Sequence, residues 1–164
     1  MFTKNASKIR KAAAGALIPL VVAGVAATAI PAEASTSRSG CTVTPLKPIY
    51  AGYHNSLGDK MIRYRVSVTC DANRTAVINW QGVEEDWSSL FNKDPDDGDW
   101  SKTERVSFGS GLRSTKTLNY DNALPDTEGG KEEMYHKARF RVTSNGVQSE
   151  PTAWERTPYV SFFN

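Results

Sequence analysis

The 164 residues hold twenty Lys and Arg against eighteen acids, a formal +2, but four of the cations and one acid lie in the first 34 positions, so the rest comes to −1. A near-neutral chain provides no long-range field for nucleic acid or an anionic membrane, and both partners lose their simplest support. The 130 residues beyond position 34 are one domain's worth, enough to bury a core.

Lys4, Lys8, Arg10 and Lys11 precede an uncharged stretch from Ala12 to Ile30, and Ala32, Glu33 and Ala34 form an A-x-A site. These are the three parts of a secretory signal peptide, with cleavage expected between Ala34 and Ser35. Gly15, Gly24 and the many alanines make the run weakly hydrophobic, which favours cleavage over a retained anchor. A lipoprotein reading fails because Arg38 stands where an aliphatic residue is required ahead of Cys41, and without a twin-arginine pair the general secretory route is expected. The expected organisation is a signal peptide over 1–34 and one exported domain over 35–164, with no membrane attachment after cleavage.

Cys41 and Cys70 are the two cysteines. In an oxidising compartment an even pair reads as a disulfide, and the spacing is far from C-x-x-C with no His close by in sequence. Closing a loop of about 30 residues stabilises by roughly 3–4 kcal/mol in the chain-entropy model.

Beyond the leader, Cys41 and Val43 alternate with Thr42 and Thr44 up to Pro45, a first short strand. Met61 to Cys70 places Ile62, Tyr64, Val66, Val68 and Cys70 on one face, the period of a half-buried strand, so the disulfide would tie the two together. Thr75 to Gln81 puts Ala76, Ile78 and Trp80 in phase. The pattern then loosens into a long acidic connection, with a short helical turn expected at Trp87 to Phe91. Strands resume at Glu104 to Phe108 and Leu112 to Tyr120 around a Gly109, Ser110, Gly111 turn, and Asp121 to Gly130 reads as loop. Glu133 to Ser144 alternates Met134, His136, Ala138, Phe140 and Val142 with Tyr135, Lys137, Arg139 and Arg141. Asn145 and Gly146 tolerate positive φ and supply a hairpin turn into Val147. Trp154 to Phe163 is a last strand broken at Pro158. Trp80, Tyr64, Phe108 and Phe140 fall to the core by phase. The expected fold is all-β, a single antiparallel immunoglobulin-like sandwich.

The segment from Lys137 to Trp154, KARFRVTSNGVQSEPTAW, resembles the F strand, turn and G strand of fibronectin type III domains, an alternating strand followed by Asn-Gly and then Ser-Glu-Pro. The layout of a basic, Ala-rich leader, a Cys-Thr-Val start and a second Cys ending a strand also resembles small secreted proteins of actinobacteria. The resemblance implies an immunoglobulin-like sandwich, a fold that hosts many functions and specifies none.

Chemistry is sparse. Asp94, Asp96, Asp97 and Asp99 invite a calcium site, since hard cations prefer several carboxylate oxygens on a loop. Gly98 falls one position early for an EF-hand, and Arg105 stands where its bidentate Glu belongs, so a solvated acidic loop without a cofactor is the favoured reading and a non-EF calcium loop the alternative. Tyr53, Trp87 and Trp100, with Tyr50 and His54, lie in or beside loops, where flat rings stack on sugars or anchor a protein. His54 and His136 have no G-x-S-x-G, H-E-x-x-H or catalytic-Cys setting, and His136 shares the inward phase of Phe140, so an enzyme is not expected. These residues describe a monomeric, secreted, non-catalytic module that binds an extracellular protein or glycan, with a hydrolase or hydrolase inhibitor as the alternative.

Overall fold

Threonine, valine, isoleucine and tyrosine dominate the alternating runs, and their branched or flat side chains fit a pleated, half-buried surface. The computed structural model describes residues 34–84, 100–125 and 130–163. Ten strands form: β1 Thr36–Arg38, β2 Cys41–His54, β3 Lys60–Cys70, β4 Arg74–Glu84, β5 Trp100–Phe108, β6 Ser114–Ala123, β7 Lys131–Ser144, β8 Val147–Gln148, β9 Glu155–Arg156 and β10 Val160–Phe163. One sheet has the order β1-β2-β3-β6 and the other the order β5-β4-β7, with β8, β9 and β10 in turn along the free edge of β7. Every pairing is antiparallel. The result is an all-β sandwich compatible with an immunoglobulin-like fold.

The inward sets of the two sheets meet in one core of Val43, Ile62, Tyr64, Val66 and Val68 from one side and Ala76, Ile78, Trp80, Phe108, Phe140 and Val142 from the other. Aromatic rings bridge the layers. Tyr64 on β3 lies 4.8 Å from Trp100 on β5 and 5.6 Å from His136 on β7, both edge to face. Trp100 in turn sits 4.6 Å from Tyr120 on β6 and 5.7 Å from Trp80. A Cβ at Gly82, the cross-strand partner of Trp100, would run into the indole, so a side chain is absent there because the ring occupies its space.

The disulfide forms as expected between β2 and β3. Cys41 and Cys70 are direct cross-strand partners within one sheet, with Cα atoms 4.1 Å apart and both residues buried. This buried bond points to an oxidising environment. Among the described residues no helix is long and apolar enough to cross a membrane. All but Ala34 of the expected leader over 1–34 lies outside the described residues.

Several elements depart from the sequence reading: β1 has no counterpart in it, and β4 runs three residues past Gln81 to Glu84. β2 does not stop at Pro45 but runs fourteen residues, through Pro45 and Pro48. The Asp71 N–H bonds to Gly40 O, so the adjacent Cys41/Cys70 pair is a non-hydrogen-bonded one, and by alternation Pro45/Val66 is too. The nitrogen of Pro45 therefore faces away from β3, where no donor is needed, and Pro48 sits in the irregularity between Leu46 and Ile49. β5 begins four residues early, at Trp100. β6 continues through Asp121 to Ala123, because Asp121 pairs with Arg63 across the ladder. The Asn145-Gly146 turn is as read, with φ of 50° and 78°, and Ser39-Gly40 repeats it between β1 and β2 with φ of 49° and 78°.

Candidate functional site

The distal half of β2 and the turn into β3 leave the core. Ile49, Tyr50, Tyr53 and Leu57 are 40%, 42%, 44% and 84% exposed, half of the exposed large apolar side chains among the described residues. Large apolar groups gathered on one hairpin are what a contact surface requires.

The apex carrying Leu57 is tied by its own polar groups. Asn55 Oδ1 accepts from the Leu57 and Asp59 amides, both at 2.9 Å, and Asn55 Nδ2 donates to Asp59 Oδ2 at 2.8 Å. The backbone closes with Asn55 N to Asp59 O at 2.9 Å and Gly58 N to Asn55 O at 3.1 Å, with Gly58 at φ 93°. An Asx turn of this kind holds the loop in one shape before any partner arrives.

Tyr53 is anchored as well. Its hydroxyl donates to Asp121 Oδ2 at 2.9 Å, and Arg63 grips the same carboxylate with Nε to Oδ1 at 2.8 Å and Nη2 to Oδ2 at 2.7 Å. The Arg63 fork holds the Asp121 carboxyl below the usual carboxylate range, and the bond to Asp121 raises the Tyr53 hydroxyl above its ordinary value. Tyr53 therefore stays a neutral donor, fixed across the outer face of the β1-β2-β3-β6 sheet with its ring toward solvent. Beside it the Tyr50 hydroxyl faces His54 Nδ1 at 3.4 Å.

Of the rings read from sequence as a binding set, Tyr53 lies here. Trp100 does not join it: only 9% exposed, it points inward from β5 among Tyr64, Trp80 and Tyr120. Its place next to the acidic connection suggested a loop residue, but the strand begins at Trp100 itself, and phase turns the ring to the core. Trp87 and the acids Asp94, Asp96, Asp97 and Asp99 lie outside the described residues. His136 is fully buried, as its phase implied. The Arg63–Asp121 pair was missed because 58 residues separate the partners and neither stands out in its own strand.

No family model, no curated protein and no solved structure matches the chain.

Proposed function

We propose that this is a secreted, non-catalytic binding module that engages a protein partner through the β2–β3 hairpin. The observation that carries the reading is the rigid apex at Asn55 to Asp59, which presents Leu57 beyond an anchored Tyr53. Preorganised apolar groups on a stiff hairpin bind with little ordering cost, and aromatic anchors supply much of the energy of protein interfaces. Export is supported by the basic leader with its A-x-A site and by the buried disulfide. Fibronectin type III kinship is supported by the strand order, three main strands against β5, β4, β7 and a last broken edge, and by the β7 turn that the resemblance named.

The protruding, internally bonded hairpin favours one special case, an inhibitor of an extracellular hydrolase. The hydrolase reading has less support: His136 is sealed in the core, and the bonding partner of His54 is a tyrosine hydroxyl. The test compares the mature protein with a Leu57→Asp, Tyr53→Ala variant in cross-linking to co-secreted proteins and in titrations of co-secreted hydrolase activities. The expected result is a saturable adduct or inhibition that weakens at least tenfold in the variant. An adduct formed equally by both proteins, or none by either, would overturn the proposal.

A further inference from the structure

The outward face of the other sheet is of a different character. On its outward phase β7 carries Tyr135, Arg139 and Arg141, with Lys137 covered to 7% exposure, while β5 adds Arg105 and β9 adds Arg156 beside Lys137. In register, Val77 on β4 separates Arg105 from Arg141. Between Tyr135 and Thr143 no carboxylate shares this outward phase on β4, β5 or β7 among the described residues; Glu133, at the far end, is held by Lys131. Nor does any ion pair among the described residues involve Arg105, Arg139, Arg141 or Arg156.

Several of these cations are held in place by rings. The Arg139 guanidinium lies 4.5 Å from the Trp154 ring centre, Lys137 Nζ lies 5.3 Å from the same ring, and Arg156 lies 5.7 Å from Tyr135. Stacking uses the flat face of a guanidinium, and although Arg139 Nε is buried, its terminal N–H groups remain to meet an oxyanion. The strand geometry spaces Arg139 and Arg141 about 7 Å apart along β7, and Arg141 and Arg105 about 10 Å apart across it.

We propose that this face binds an acidic polysaccharide, whose repeating carboxylates lie across β5, β4 and β7 and fork onto Arg105, Arg141 and Arg139. A flat multi-stranded face cannot enter a duplex groove, which admits a helix or a two-stranded ribbon. Single-stranded nucleic acid needs free aromatic faces for its bases, and here Trp154 and Tyr135 are already stacked against the protein's own cations. A linear chain of anions with modest aromatic demand fits what remains.

The experiment uses the mature, disulfide-bonded chain and polygalacturonate as probe, with neutral dextran and a single-stranded oligonucleotide of equal charge as comparators. Binding that weakens with salt is expected, at least tenfold weaker for Arg105→Gln, Arg141→Gln and unchanged for Lys47→Gln, Lys116→Gln, which removes the same charge from the other sheet. Thermal midpoints close to that of the parent confirm that both variants are folded. Absence of binding at low salt, equal loss in the two double variants, or tighter binding of the oligonucleotide would overturn it. The hairpin residues Leu57 and Tyr53 are untouched, so this outcome is independent of the partner proposed above.

Discussion

His136 shows how one buried side chain sets a pH dependence. Its Nε2–H donates to the Leu46 carbonyl at 2.6 Å, while Nδ1 is buried with no partner among the described residues. Protonation would place a charge in the core and add a second ring donor, at Nδ1, that has no acceptor, and burial lowers the pKa to about 4. The unfolded chain takes up this proton near its ordinary value of about 6.5. Stability is therefore complete above that value, declines as pH falls toward about 4, and changes no further below it through this group. Its full contribution is roughly 3 kcal/mol. Between pH 7 and 5, above most carboxylate titration, urea midpoints of the parent are expected to fall while those of His136→Gln stay nearly flat. A slope unchanged by the substitution would refute this account.

At the scale of the element, the free edge of β7 is closed in an uncommon way. A proline-broken segment cannot provide a continuous ladder, and three hydroxyls fill the gaps. Ser149 Oγ accepts from Val142 N at 3.0 Å, Thr152 Oγ1 from Phe140 N at 3.1 Å and Thr157 Oγ1 from His136 N at 3.2 Å. The backbone amides of the same three residues return bonds to the Val142, Phe140 and His136 carbonyls. Every second rung of β7 is thus satisfied across Pro151 and Pro158, and the edge is closed to further strand addition. Thr152→Val keeps the shape and removes the acceptor, leaving the Phe140 amide buried and unpaired, so a loss of about 1–3 kcal/mol is expected in urea unfolding. Ser161→Ala, which removes only a 3.5 Å contact with Glu133, is expected to cost far less. Comparable losses in both would argue against the hydroxyl ladder.

For the whole molecule, the disulfide joins strands already adjacent in the sheet. It closes a span of 29 residues, and its main effect is to restrict the unfolded chain. Reduction is expected to lower stability by about 2–4 kcal/mol while the far-ultraviolet circular dichroism of the folded protein stays unchanged. Loss of β structure on reduction at low temperature would mean that the bond specifies the fold rather than adding to its stability. Exposed apolar groups gather on the β2–β3 hairpin, and Arg105, Arg139 and Arg141 share the outer face of β5 and β7.

Cys41 and Cys70 pair because the sequence holds no other cysteine, while period-two alternation determined the central strands and the inward set of Ile62, Tyr64, Trp80 and Phe140, and φ-tolerant residues determined the Asn145-Gly146 turn. These are local properties: a strand's two faces and a turn's φ follow from neighbouring residues alone. Tertiary structure decided that Trp100 faces inward, that Pro45 is tolerated inside a strand, that Arg63 meets Asp121, and that Arg105 joins Arg139 and Arg141 on one face. Each of these depends on which strand lies beside which. A sum of charges along the chain cannot hold that information, because it does not record which side chains share a face.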